Sequence, residues 1–480
     1  MIVRGGICSK KENNILIDNA NIFLVKRTVM NRINKFLHIY IAFTIISGIT
    51  NIHAQTIIDT YTNVTPPSPT AASLGTYGQV PVGMFTGTAQ FNIPLYQLKS
   101  RKLSLPVSLD YSSNGVKVDK VASWVGMDWS LTAGGVITRT IRDNADEIGT
   151  RITFEDIMND PTTTEQILLD PSHNNIDTEP DLYAFNFNGF SGKFIIGLDS
   201  FPRLIPFQDV SIEVINILGG DRNFIITTKD GIKYYFGENG VIESSSTLTG
   251  SCSTRPAYST AWYLTRIVHP TGDQITLSYK QNNALYKTHI NQTLTDVDQY
   301  SILNCSDCGN LGSLSTCFNS IHAITWHLDT ISTDNIDVIF ETSDRSDHDD
   351  YKLDAIRVRE KGFSNSERYF DFTYELSDND HHHNNITDND DQFHSRMFLV
   401  GVEETSQGED AKVHTFSYYD IDALPARCSF SQDHWGYYNG ANNFNNFLHV
   451  PSEVSQYFTN YTATERSRAH RSIHTKHTVL

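Results

Sequence analysis

The chain has 480 residues, 39% hydrophobic and 11% aromatic, which is enough for more than one packed core. Its 37 Lys and Arg stand against 55 Asp and Glu, and the net charge of −18 argues against nucleic acid and anionic lipid as partners. With 29 Gly, 22 Tyr and 26 Phe but only 6 Met, the composition speaks for strands and turns and against a mainly helical fold.

Residues 1–29 precede a better start at Met30 and read as a misassigned upstream extension. From Met30, basic Arg32 and Lys35 lead into an apolar run, Phe36 to Ile49, too short to cross a bilayer, and small Ala54 closes it. That layout reads as a cleaved signal peptide over 30–54, with Gln55 as the new N-terminus, the alternative being a single N-terminal membrane anchor. It places the protein outside the cell or at its surface, with no stable membrane span after cleavage. The first 54 residues hold seven Lys or Arg and two Asp or Glu, so their loss deepens the net charge to −23.

A Thr- and Pro-rich lead-in over 55–72 gives way to an N-terminal β region, 73–145. There Phe91, Ile93 and Leu95, then Leu103, Leu105, Val107 and Leu109, alternate with polar or small positions, the period of half-buried antiparallel strands. The densest signature follows at Ser123–Arg139, SWVGMDWSLTAGGVITR. Its Trp124, Gly126, Trp129, Gly134, Gly135 and Arg139 read as structure: large rings over tight glycine turns, with the arginine pairing a carboxylate or stacking on a ring. The sharper reading is a carbohydrate site, because indoles stack on sugar rings. Trp435 and Gly436 in DHWGYYNG divide the same way.

Residues 146–180 read as an acidic surface insertion of loop and short helices, around Phe154–Met158 and Glu165–Leu169. A β region over 181–280 carries two hairpin turns, Asn188-Gly189 and Asp230-Gly231. A cysteine-containing loop, 281–320, comes next. Cys252, Cys305, Cys308, Cys317 and Cys428 are the candidate disulfide cysteines of an exported chain, five in number, so one lacks a mate here. Zinc held by Cys305, Cys308, Cys317 and His322 is the alternative, without the second CxxC that such sites usually have.

Residues 321–443 complete a weak internal repeat. Tyr263–Lys280, Lys352–Glu375 and Phe398–Asp420 each open on a leucine (Leu264, Leu353, Leu399), pass a polar turn and close on tyrosine (Tyr279, Tyr374, Tyr418 and Tyr419). Residues 327–341 are a poorer fourth copy. Each is a hairpin that must stack on neighbours to bury its apolar face. The last stretch, 444–480, is basic and His-rich, unlike the acidic body, and reads as a truncated or frameshifted tail.

The pieces 73–96, 105–139, 179–194, 229–237 and 432–443 resemble, in order, the N-terminal region of secreted bacterial RHS/YD-repeat proteins. The resemblance implies a mainly β fold of antiparallel sheets and hairpins, the leading part of a β-shell, with the helical or loop insertion near 150–178. It implies a structural role: starting or capping a shell that encloses or presents a C-terminal toxin or variable domain, so the partner is the downstream repeat shell or its cargo. Only Tyr419-Asp420 carries the named dipeptide, and no repeat array is present in these 480 residues. The alternative function is a cell-surface adhesin or glycan-binding module. No HExxH, GxSxG, P-loop or helix-opening GxGxxG occurs, so neither enzyme nor cofactor is expected, a hydrolase with unrecognised catalytic residues being the third reading. Asp347, His348, Asp349 and Asp350 read as a solvated acidic loop rather than a calcium loop, and His381, His382 and His383 as exposed loop.

Overall fold

The computed structural model describes residues 82–443 apart from 84–87, 143–144, 148–149, 152–175, 178, 218–220, 249–255, 295–313, 348, 364–367, 378–394, 407, 434 and 442. The signal segment, the lead-in, the two short helices of the insertion, Cys252, Cys305, Cys308, His381–His383 and the tail lie outside the described residues. What is described is mainly β and antiparallel, with two short 3-10 turns at Glu238–Gly240 and Ile421–Ala423. Among the described residues no helix is long and apolar enough to cross a membrane.

Four strands, Val82–Gly83, Thr88–Lys99, Ser104–Ser113 and Trp129–Ala133, form a first antiparallel sheet in sequence order. The alternation seen in the sequence is the inward face: Leu105, Val107, Leu109 and Tyr111 are buried, the three aliphatic side chains each worth about 1.5–3 kcal/mol on burial. The chain then changes sheet. Gly134 has φ +99°, and the next strand, Gly135–Thr140, joins a second sheet of sixteen described strands. A side chain at Gly135 would meet Phe187 Cβ at 2.3 Å, so the close approach of these two strands requires glycine there.

The second sheet runs from an edge at Pro202–Ile205 through Phe190–Ile196, Leu182–Phe187 and Gly135–Thr140 to Tyr258–Val268. Beyond Ile242–Thr247 it grows in chain order: Leu314–Ser332, Ile336–Asp344, Tyr351–Glu360, Arg368–Leu376, Met397–Ser406 and Lys412–Thr415. Among the described residues this last strand pairs on one side only, and its four residues are exposed, so it forms an edge. Asn188 and Gly189, at φ +41° and +83°, make the predicted tight turn between Leu182–Phe187 and Phe190–Ile196. One continuous cluster of buried side chains, from Leu98 and Trp129 to Phe370 and Leu399, joins both sheets.

Two expectations about loops need correction. Much of the cysteine-containing segment is not loop: Gln274–Leu294 and Leu314–Ser332 pair along their length, from Thr276 opposite Ser332 to Leu294 opposite Leu314. The insertion is not wholly superficial either. Its ends, Thr150–Arg151 and Ile176–Asp177, pair in parallel, and Asp177 is fully buried near Arg151 and Asp146.

Candidate functional site

The three leucine-to-tyrosine segments are one device used three times. Tyr279, Tyr374 and Tyr418 each donate their hydroxyl to the carbonyl of the leucine that opens the same hairpin: Leu264, Leu353 and Leu399, at 2.6 Å in every case. The preceding strand explains the position. Leu264, Leu328, Leu353 and Leu399 sit opposite Phe236, Tyr279, Thr342 and Tyr374, and in each ladder the register slips there, skipping Thr265, Asp329, Asp354 or Val400. A bulge disturbs the regular ladder, and the tyrosine supplies a donor beside it. Directly after the fourth copy, Thr342 occupies the position that Tyr279 and Tyr374 hold in theirs, and among the described residues no tyrosine bond to Leu328 accompanies it. Burial raises all three tyrosine pKa values far above the ordinary phenol range, so the latches stay protonated donors. The latching residue of the third copy is Tyr418. Tyr419, of the Tyr-Asp pair, is 57% exposed.

The signature ties these hairpins together. The backbone of Leu353 donates to the Trp124 carbonyl at 3.0 Å, and that of Met127 to Met397 at 2.8 Å. Gly126, at φ +101°, lies so close to the third hairpin that a Cβ would meet Leu399 N at 2.8 Å. Trp129 is buried against Tyr111 and Phe416, and its indole donates to the Tyr418 hydroxyl at 2.8 Å. Arg345, buried, donates to the carbonyls of Ala122 and Ser123. Residues 122–129 thus run as a strap across the openings of the second and third latched hairpins. Arg396 extends it, donating to Val118 and Pro425 from full burial, which lowers its pKa to about 9.

Arg139 does both things its context suggested. It pairs with buried Asp181 and with Glu147, and it lies over the Tyr183 ring. Burial opposes its charge, yet these partners raise its pKa. Trp435 is a correction to the core reading: it is 66% exposed on a turn held by Asp433. Gly436 contributes its carbonyl to Val118 N. Two residues of the acidic loop, Asp347 and Asp350, are anchored rather than solvated. Both oxygens of buried Asp347 accept from Arg345 at 2.8 Å, and Asp350 accepts from Asn282 and lies 2.6 Å from His327 Nε2.

The cysteines separate. Cys317 is disulfide-bonded, which removes it from any zinc thiolate set with His322. Cys428, counted among the disulfide candidates, is a buried thiol, and burial pushes it up to about 12. Asp119, Arg427, Lys287 and Arg396 are its charged neighbours. Among the described residues no group of three or more His, Cys, Asp or Glu side chains is arranged to hold a metal ion.

One feature was not legible in the sequence. A cavity of about 250 Å³ opens beside the Gly134–Gly135 corner, with Trp124, Tyr263, Tyr279, Trp326 and His327 in its lining. Behind it, Tyr263 donates to Glu243 at 2.9 Å, and burial raises the Glu243 pKa against the hydrogen bonds of Tyr263 and Thr260. These residues come from the signature and from strands far apart in the chain, so no local spacing joins them.

No family model and no curated protein matches the chain. Solved structures similar to it include a TcdB2-TccC3 crystal structure, 12% identical with a TM-score of 0.38, covering 69% of this chain and 16% of that one. Another is a Photorhabdus luminescens Tc holotoxin pore, 11% identical with a TM-score of 0.37 over 69% of this chain and 16% of that one. A third is the N-terminal domain of effector protein SpvB from Salmonella typhimurium strain LT2, 11% identical with a TM-score of 0.31 over 66% of this chain and 98% of that domain. The chain thus spans 16% of the length of the Tc structures.

Proposed function

We propose that this chain is an exported, non-enzymatic structural segment that starts a β-sheet shell of RHS/YD-repeat type, and that such a shell encloses or presents a C-terminal toxin or variable domain. The observation that carries the reading is the strapped series of latched hairpins: identical Tyr-to-Leu bonds recur from hairpin to hairpin, and strands are added in chain order up to the edge Lys412–Thr415. A lone hairpin cannot bury its apolar face, so repetition of one latched unit is a way to extend a sheet by addition. The edge strand offers unpaired backbone groups to a further strand, which makes protein the natural partner. The signature strap would set the register of the first units.

Sequencing the DNA past codon 480 and producing the chain together with the polypeptide that follows tests this. Further leucine-to-tyrosine hairpins are expected, with amides 412–415 protected from hydrogen exchange in the longer protein and a protease-resistant domain behind them. A following sequence without such hairpins, or edge amides that exchange as fast in the longer protein as in this chain, overturns the reading.

A further inference from the structure

We propose that the cavity beside Gly134–Gly135 is a binding site for one neutral sugar ring. Its walls are amphipathic aromatics: Trp124, Tyr263, Tyr279 and Trp326, all partly exposed. Such rings offer flat faces to the C–H side of a pyranose and polar edges to its hydroxyls. Their orientation is fixed before any ligand arrives. Tyr263 is bonded to Glu243, Tyr279 to the Leu264 carbonyl, and Trp326 Nε1 to the Ile242 carbonyl at 2.9 Å. His327 is held through Nε2 by Asp350 and packs against the Trp124 ring at 5.2 Å. Little side-chain freedom remains to be lost on binding, which favours affinity.

Polar atoms in the lining are left for a ligand. Neither His327 Nδ1 nor Trp124 Nε1 has a hydrogen-bond partner among the described residues, and the His327 side chain is 9% exposed. A polar, aromatic recess of this kind is not the dry void that imperfect packing leaves. The ligand class follows from size and charge. A volume of about 250 Å³ lies below the range of drug-sized pockets, which suits one ring rather than an extended chain. The lining contains no Lys or Arg, so an acidic sugar or a phosphate has no counter-charge there.

This inference stands apart from the shell reading, since a shell segment with or without a sugar site would keep its latches. Intrinsic tryptophan fluorescence of the exported chain, titrated with glucose, galactose, mannose and N-acetylglucosamine, tests it, with sialic acid as the acidic comparison. A saturable change is expected for at least one neutral sugar and none for sialic acid. Trp124→Ala should weaken that binding by roughly 3- to 10-fold, the range of one aromatic stacking contact. Ala133→Leu, which fills the cavity from its wall, should abolish it, and exposed Trp435→Ala should leave it unchanged. If Trp124→Ala does not fold by circular dichroism, Ala133→Leu decides. Failure of all four neutral sugars to saturate a signal overturns the proposal, as does binding that survives Ala133→Leu or that sialic acid reproduces.

Discussion

Replacing the latch tyrosines with phenylalanine removes one hydroxyl and leaves the ring in place. For Tyr374→Phe the lost bond is the 2.6 Å donation to Leu353 O, which lies beside a bulge and has that hydroxyl as its donor. Loss of a bond that leaves a shielded carbonyl without its donor costs about 1–3 kcal/mol. Tyr279→Phe should cost the same, because its bond to Leu264 has the same length and setting. Tyr418→Phe removes two bonds. Its oxygen also accepts from Trp129 Nε1, and Trp129 is 2% exposed, so a second buried group loses its partner. The expected cost rises to about 2–5 kcal/mol. Tyr419→Phe, at the exposed neighbour, should stay within about 0.5 kcal/mol. Guanidinium unfolding followed by far-ultraviolet circular dichroism gives all four values, with an unchanged slope expected. If Tyr418→Phe is no costlier than Tyr419→Phe, the latch account is wrong. If Tyr374→Phe is silent, the tyrosine bonds only accompany packing and do not hold the hairpins.

Gly126→Ala should cost about 2–4 kcal/mol by the same assay, because it adds both left-handed strain and a methyl group against Leu399 N; a cost under about 1 kcal/mol would mean that the strap does not fix the third hairpin. Cys428 should resist iodoacetamide at pH 8 until the chain unfolds, as mass spectrometry of its peptide would report, since burial pushes its thiol up to about 12; rapid native labelling would show an open C-terminal cluster. Burial, opposed by Arg427 and Arg396, pushes the Asp119 carboxyl up to about 6. The unfolded chain, with an ordinary value near about 4, gives up this proton first, so the contribution of Asp119 to stability is lost as pH rises from about 4 to about 6. Asp119→Asn should therefore gain stability relative to the parent chain across that window, and a gap that is flat with pH would refute the assignment.

The sequence alone determined the class of fold. Alternation at Leu103, Leu105, Val107 and Leu109, and turn dipeptides such as Asn188-Gly189, are local signals: a strand has period two, and a tight turn needs positive φ within two residues. The leucine and tyrosine of each hairpin were visible for the same reason, because both lie within one local unit. The tertiary structure decided their chemistry. That the tyrosine oxygen meets the leucine carbonyl depends on a bulge against the preceding strand, and the choice of Tyr418 over Tyr419 depends on which face turns inward toward Trp129. The signature was recognisable as structural, but its division was not. Trp129 is core, Trp124 borders a cavity and Gly126 abuts Leu399, because the strap crosses hairpins more than two hundred residues further along the chain. Likewise the anchoring of Asp347 and Asp350, the exposure of Trp435 and the burial of Cys428 rest on partners distant in sequence. Local periodicity reports which face of an element is apolar; only the assembled sheets determine what that face, and each polar group along it, will meet.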